Sequence, residues 1–212
     1  MPGKVAFVPT VPATRKTRAT FKTLVDATRE TVRRHGVLLP ESVAETANVS
    51  PATLYTYFGS KDGLLASAFD AALGEIGDEV ARALNIETLL EDGLEAVTRR
   101  VIRTVVKHFT RDARVVRLAI ARLPDSPEVV EVYKRRSGEQ LATISRFLRL
   151  GIAAGRIRPA DPVVLARAVM VQLQGLQNPI VLQPGSGPIV DEISRMVHHL
   201  LAPDGGNRAN GG

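Results

Sequence analysis

Hydrophobic positions recur at helical spacing along most of the chain, and almost no segment alternates as a strand would. The first such face consists of Phe21, Leu24, Val25, Thr28 and Val32. Gly36 follows three basic residues, which is typical of a helix end. The pattern therefore predicts a first helix over residues 17–35.

Two short helices are predicted next, over residues 40–47 and 51–58. Ser50 is placed to cap the second, and Pro51 suits its first position. Ser60 is placed to cap a long helix over residues 61–84. Two short helices between two longer ones, joined by tight turns, indicate a helix-turn-helix.

The pattern of the remaining residues also predicts helices, so the protein is expected to be all-α. Asp112, Ser126 and Asp161 are N-cap candidates, whereas the prolines and glycines of residues 178–188 exclude regular helix. Five further helices are expected, at 87–110, 112–122, 127–154, 162–177 and 187–201. The expected organisation is a disordered tail (1–16), a helix-turn-helix domain (17–65), a second helical domain (66–203) and another disordered tail (204–212).

Charge and composition narrow the function. Of a net charge of +6, the first 60 residues hold eight basic and four acidic residues, which suits a polyanionic partner or else a merely basic surface. The chain has no cysteine, no apolar run long enough for a membrane span and no recognisable export signal. We therefore expect a cytoplasmic protein.

The segment VSPATLYTYFGSK holds three aromatic residues in a chain that is only 4% aromatic. Leu54 and Phe58 lie four residues apart and would anchor this helix in the core. The other side chains would then be exposed to varying degrees, where small or hydroxyl groups can touch base edges and phosphates. The alternative is an ordinary core helix with internal tyrosines.

These residues resemble the TetR family, the tetracycline-repressor-like bacterial regulators. The likeness rests on Leu54-Tyr55, Tyr57-Phe58, Gly59-Ser60 and Lys61, followed by DGLLASAF and preceded by ESVAETANVS. It covers about 55 residues, and beyond them the chain matches only in being helical. The resemblance implies an N-terminal DNA-binding domain followed by a ligand-binding and dimerisation domain.

Carried over by position, the resemblance assigns roles within the motif. Pro51, Ala52, Thr53 and Thr56 would face bases, whereas Tyr55, Tyr57 and Lys61 would hold the DNA backbone. Lys61 also has a physical argument, because a helix N-terminus favours an anion. The predicted DNA-binding set is completed by Ser42 and Ser50.

Other charged residues near this segment have open roles. Glu41 occupies a place where many relatives have a basic or neutral residue; a carboxylate there repels phosphate but accepts from a cytosine amino group. The basic residues Arg15, Lys16 and Arg18 would contact DNA or belong to a solvated tail.

For the second domain, the resemblance implies a homodimer through helices near 162–177 and 187–201 and a small-molecule effector. Their apolar content also fits a central core. An effector would act through residues 61–84, which we expect to be the only continuous element joining both parts. Candidate pocket residues, each equally suited to plain core packing, are Phe109, Leu118, Leu123, Tyr133, Phe147 and Gln172.

A basic series also runs through this region: Arg99, Arg100, Arg103, Lys107, Arg111, Arg114 and Arg117. It suggests a solvated face, or else a surface for an acidic effector or DNA.

The histidines lack ligand spacing and the catalytic motifs of hydrolases and nucleotide-binding enzymes are missing, so we expect no metal, no cofactor and no enzyme. Together with the resemblance, the sequence predicts a ligand-responsive DNA-binding regulator, a repressor that binds a palindromic operator as a homodimer and is released by a small molecule. Activation stays open, and the alternative is a helical small-molecule-binding or protein-interaction module without specific DNA binding.

Overall fold

The computed structural model describes residues 14–203, and no residue in that range lies in a strand. This confirms the predicted all-α fold. The helices of the described range are α1 (Arg15–His35), α2 (Pro40–Thr46), α3 (Pro51–Phe58), α4 (Lys61–Ala83), α5 (Ile86–Glu91), α6 (Gly93–Arg122), α7 (Pro127–Ala153), α8 (Pro162–Gly175) and α9 (Gly187–Leu201).

Helix α1 begins two residues before its predicted start. The hydroxyl of Thr14 accepts from the backbone N–H of Thr17 at 3.3 Å, so Arg15 and Lys16 are helical rather than part of a tail. The rest of the predicted tails, residues 1–13 and 204–212, lies outside the described residues. At the other end, Gly36 adopts φ 76° and donates to the carbonyl of Val32 at 2.8 Å, as the sequence predicts.

The predicted helix break at residues 110–112 is wrong. Helix α6 runs unbroken through this point, because the Asp112 carboxylate is buried and bonded to Arg29 instead of capping a helix. The break falls earlier: Asn85 caps the short α5, Asp92 ends it, and α6 begins at Gly93, which has φ 85°.

The other two predicted caps in this half are confirmed. Ser126 accepts from the N–H of Val129 at 3.4 Å, and Asp161 accepts from the N–H of Val163 at 2.8 Å. Residues 178–188 form turns up to the first residue of α9, as their prolines and glycines predict.

The chain forms two compact units. The first contains the described residues up to Glu75 together with Arg111–Ser137. Its core consists of apolar side chains from α1 to α4, including Leu24, Val32, Val43, Leu54, Phe58, Leu64 and Phe69, each at most 2% exposed. The rings of Phe21 and Phe58, 5.1 Å apart, join α1 to α3.

The second unit contains Ile76–Thr110 and the described residues from Gly138 onward. Its buried side chains include Leu89, Ile102, Leu148, Ile157, Leu165 and Leu176, each at most 3% exposed. The loop before α8 also holds the end of α9, since Arg158 donates through its backbone N–H to Leu201 at 3.0 Å and through its Nε to the carbonyl of Leu200 at 2.7 Å.

Three helices contribute residues to both units. The division falls within α4, within α6 and within α7. The expectation that residues 61–84 form the only continuous element joining both parts is therefore wrong, because α6 and α7 also contribute residues to both units.

Candidate nucleic-acid interface

A tight turn connects α2 to α3. Asn48 adopts a left-handed backbone with φ 53°, a conformation that asparagine tolerates better than most residues. The N–H of Val49 then donates to the carbonyl of Ala44 at 2.9 Å. Backbone bonds thus hold this tight turn.

Helix α3 begins at a capped and preorganised end. The hydroxyl of Ser50 accepts from the backbone N–H of Thr53 at 3.2 Å, and Pro51 occupies the first turn. The two hydroxyls of Ser50 and Thr53 lie 3.0 Å apart. The cap therefore also orients Thr53, one of the predicted base-facing residues.

The two sides of α3 differ in exposure as predicted. Leu54 and Phe58 are each only 1% exposed. Four predicted DNA-facing residues are exposed (Pro51, Ala52, Tyr55 and Thr56), and the other two, Thr53 and Tyr57, are half-buried. Tyr55 presents 45% of its surface. The alternative of a core helix with internal tyrosines therefore does not fit Tyr55.

The N-terminus of α4 lies directly after this surface. The Ser60 hydroxyl caps the helix by accepting from the N–H of Gly63 at 2.9 Å, and Lys61 is exposed in the first turn. The neighbouring Asp62 is engaged by Arg122, the closer contact being 2.9 Å. Since this ion pair offsets the charge of Asp62, Lys61 and the helix end remain favourable to an anion.

The remaining predicted contacts lie on α2 and α1. Ser42 is half-buried and Glu41 is exposed, both in the first turns of α2. Arg15, Lys16 and Arg18 are exposed in the first turn of α1. These three cations are thus held on a helix rather than on a tail.

An ion-pair network that the sequence analysis missed braces the first unit. Arg29, on α1, is 6% exposed in its side chain; its guanidinium contacts Glu75 of α4 at 2.6 Å and Asp112 of α6 at 2.8 Å. Arg111 also donates to Asp112 at 2.8 Å and pairs with Glu75. The available signal was the position of Arg29 on the apolar face of α1, between Val25 and Val32.

The network keeps its groups charged. Hydrogen bonds from Arg29 lower the pKa of Glu75 to about 2. Burial alone would raise the pKa of Asp112, but bonds from Arg29 and Arg111 outweigh it and lower that pKa below its ordinary value. Burial likewise opposes the charge of Arg29, yet its two carboxylate partners raise its pKa. The buried charges are therefore matched.

A second contact joins α6 to the end of α1. The guanidinium of Arg114 donates to the carbonyls of Arg33 and Arg34 at 2.7 and 3.1 Å. These carbonyls belong to the last turn of the helix, where intrahelical partners are missing. Arg114 and Asp112 thus fix α6 against the helix that carries the N-terminal basic residues.

Most of the basic series is engaged by neighbouring groups. Lys107 lies 3.7 Å from Glu79, and Arg100 lies 3.8 Å from Asp92. Arg99 pairs with Glu95, and Arg103 lies 3.7 Å from Asp191. All seven residues of the series are exposed, so the series forms a solvated face, as predicted, and most of its charges lie near an opposite charge or a backbone carbonyl.

The candidate pocket residues do not form one group. In the first unit, Leu118, Leu123 and Tyr133 are half-buried. In the second, Phe109 and Phe147 are buried and Gln172 is exposed.

Phe147 lines an apolar cavity of about 30 Å³ in the second unit, together with Val80, Val101 and Leu173. This space is far below the roughly 300–1,000 Å³ of small-molecule sites. The predicted effector pocket remains a prediction.

Within the described residues, no helix is long and apolar enough to cross a bilayer.

The family profile described as "Bacterial regulatory proteins, tetR family" matches residues 24–68. A second profile, described as "AefR-like transcriptional repressor, C-terminal domain", matches residues 92–201. The first covers the helix-turn-helix, and the second covers about half of the chain.

Individual relatives agree with these profiles. The chain is 34% identical over 80 residues to the HTH-type transcriptional regulator BetI of Rhizobium meliloti (strain 1021), covering 37% of this chain and 39% of that protein. It is 28% identical over 139 residues to the HTH-type transcriptional regulator YhgD of Bacillus subtilis (strain 168), covering 62% and 66% respectively. The matches thus span less than two thirds of either relative.

A crystal structure of a TetR-family regulator from Mesorhizobium loti has a TM-score of 0.69 at 20% identity, over 89% of this chain and 95% of that one. This likeness extends the shared fold to nearly the whole chain. The family consists of transcriptional regulators and not of enzymes. The capped α3, its exposed polar face and the two profile matches together place the chain in the TetR family of DNA-binding helix-turn-helix transcriptional regulators.

Proposed function

We propose that this regulator is a repressor that binds a palindromic operator as a homodimer and is released by a small molecule. The observation that carries the proposal is the exposed face of α3, where small and hydroxyl side chains surround an exposed tyrosine. Such a face fits the major groove, because it allows close approach and offers hydrogen-bonding groups. The proposed site of action is the cytoplasm, where bacterial DNA is found.

The proposed contacts divide between bases and backbone. Ala52 and Thr56 lie on the side of α3 opposite Leu54 and Phe58, so they would lie deepest in the groove. Thr53 borders them, and Pro51 is exposed at the start of the helix. The Thr56 hydroxyl already donates to the carbonyl of Ala52 at 3.0 Å, so it would act toward a base as an acceptor.

Phosphate contacts would come from the edges of this surface. Tyr55, Tyr57 and Lys61 would hold the strand beside α3, and Ser42 and Ser50 would add hydroxyl contacts. Arg15 and Lys16 would contribute electrostatic attraction from α1. These contacts fix the register of α3 rather than read sequence.

Dimerisation is supported by unpartnered apolar stripes in the second unit. On α8, Val164 and Val171 are 62% and 63% exposed. Ala168 lies between them, giving the spacing i, i+4, i+7 of a helix–helix seam. Many of the other apolar residues of α8, including Leu165, Val169 and Leu173, are buried within the chain.

Helix α9 repeats this arrangement. Ile189 and Met196 are 38% and 56% exposed, and the half-buried Ile193 and Leu200 complete an i, i+4, i+7, i+11 stripe. Two stripes per chain would give the four-helix interface expected of a two-fold dimer, which matches the symmetry of a palindromic operator.

Release by an effector would use the helices shared between the units. A ligand bound in the second unit that favours one arrangement of α4, α6 or α7 would change the spacing of the two α3 helices. Because Asp112 and Arg114 hold α6 against α1, α6 provides a second route beside α4. The factor by which operator affinity falls can be no larger than the ratio of the ligand's affinities for the two arrangements.

Selection of genomic fragments with the purified protein tests the proposal. The enriched fragment is then titrated at two salt concentrations with wild type and with a Thr53→Ala/Tyr55→Phe variant. We expect a palindromic site that binds far more tightly than random DNA and is lost in the variant. Weak, strongly salt-dependent binding with no enriched site would instead favour a helical ligand-binding module.

A further inference from the structure

A charged cleft of about 340 Å³ lies between α6 and α9 in the second unit, apart from the proposed DNA-reading surface. Its volume is within the range of small-molecule sites. Three guanidinium groups line it together with two carboxylates and one hydroxyl, from Glu95, Arg99, Arg103, Asp191, Ser194 and Arg195.

Helical spacing brings these side chains together. Glu95, Arg99 and Arg103 follow one another at i, i+4 and i+8 on a single face of α6. Asp191 and Arg195 stand four residues apart on α9. Ser194 is buried and donates to the carbonyl of Val190 at 2.8 Å, which leaves its oxygen able to accept.

Two of the three arginines already have close carboxylate partners. Arg99 pairs with Glu95 on α6, and the Nε of Arg195 donates to Glu192 on α9 at 2.9 Å. With Glu192 included, three cations face three carboxylates, so the cleft has no large excess charge. A simple anion would gain little attraction there.

The third arginine is different. Arg103 faces Asp191 across the cleft at 3.7 Å, which is longer than a charge-assisted hydrogen bond of about 2.7–2.9 Å. Both side chains are more than half exposed, at 65% and 54%. The structure therefore presents one cation and one carboxylate side by side, each with hydrogen-bonding capacity to spare.

We infer that this cleft binds a small zwitterion of the amino-acid class, whose carboxylate contacts Arg103 and whose ammonium group contacts Asp191. An amino acid carries its two charged groups on adjacent atoms, which matches the short separation of the two side chains. Arginine binds carboxylates through two parallel hydrogen bonds. The rest of the cleft volume would hold the ligand's side chain.

The cleft stays open in the proposed dimer. Asp191 and Arg195 lie roughly 150° around α9 from the stripe of Ile189, Met196 and their neighbours, at 100° per residue. A partner helix seated on that stripe would therefore leave the charged flank exposed. The inference does not depend on DNA binding, since it concerns a ligand site on the protein alone.

The test begins with the twenty standard L-amino acids, each screened singly at millimolar concentration and matched ionic strength by thermal unfolding of the full chain. The strongest stabiliser is then titrated calorimetrically without DNA. We expect at least one saturable ligand. We also expect its analogue without the amino group, and its analogue without the carboxyl group, to bind at least about tenfold more weakly.

Variants locate the site. Arg103→Gln and Asp191→Asn should each weaken the amino acid at least about tenfold, whereas Arg149→Gln, an equal charge change at an exposed position of α7, should not. Circular dichroism checks that each variant is folded. The inference is overturned if no amino acid binds saturably, if the deaminated analogue binds equally well, or if Arg103→Gln leaves binding unchanged.

Because no DNA is present, failure here leaves the operator proposal standing. Conversely, a failed operator selection would not remove a ligand site shown by these titrations. The two proposals are therefore refuted by separate results.

Discussion

Replacing Asp112 with asparagine removes one charge from the network that joins α1, α4 and α6. The carboxylate is 1% exposed in its side chain and contacts Arg29 at 2.8 and 3.2 Å. Asparagine has nearly the same size, so the packing stays, while the negative charge and one of the two acceptor oxygens are lost. Arg29 would then be a buried cation with Glu75 as its remaining carboxylate partner.

The expected loss in the free energy of unfolding follows from the burial of this ion pair. Breaking a buried ion pair on one side costs about 3–5 kcal/mol. Glu75, which is 44% exposed, still offsets part of the charge of Arg29, so we expect the lower end, about 3 kcal/mol. For a chain of this size, each kcal/mol lowers the melting temperature by about 2–4 °C. The variant should therefore melt roughly 6–12 °C below wild type.

The assay is thermal unfolding followed by circular dichroism at one fixed protein concentration, since association shifts apparent stability. Asp92→Asn is the matched control, because Asp92 is 56% exposed and lies 3.8 Å from Arg100. That change should cost at most about 0.5 kcal/mol. An Asp112→Asn protein that melts within about one degree of wild type would refute the stabilising role of the network.

Three further predictions concern DNA binding, dimerisation and stability in acid. Tyr55→Phe should weaken operator binding about fivefold to tenfold in a gel-shift titration without lowering the melting temperature, and unchanged affinity would exclude a phosphate contact by its hydroxyl. Val171→Glu should yield monomers by sedimentation while Gln172→Glu, the exposed neighbour, stays dimeric; a dimer in both would place the interface elsewhere. The pKa of Glu75 is lowered from 4.5 to about 2 in the folded state. The contribution of its charge to the free energy of unfolding is therefore complete above about pH 4.5 and is lost as the pH falls toward 2. Urea unfolding at several pH values should therefore show a smaller acid loss in Glu75→Gln than in wild type, and equal losses would contradict this reasoning.

The α3 surface was predictable because its signals are local. Ser50 and Pro51 mark the start of the helix, and the spacing of Leu54 and Phe58 defines its buried side. Capping and periodicity act over one or two turns, so a single sequence contains them in full. The exposure of Tyr55 then follows from its position between these anchors.

The wrong prediction of an N-cap at Asp112 shows the limit of inference from neighbouring residues alone. Aspartate before a helical run is a good N-cap, yet the same residue also suits a buried ion pair. Its partner Arg29 is 83 residues away in the chain, so local spacing does not distinguish the two roles. The effector pocket remains only a prediction for a related reason: periodicity gives the face of each helix, whereas a cavity depends on how several helices pack.

Hydroxyl-radical footprinting on the enriched fragment measures directly whether α3 reads operator DNA. Wild type should protect two half-sites related by a two-fold axis, with centres one helical turn apart, about 34–36 Å, or a multiple of it. Thr53→Ala should lose this protection at the same protein concentration. If wild type protects the fragment uniformly, or protects no part of it at a concentration that saturates its binding, α3 does not read the operator.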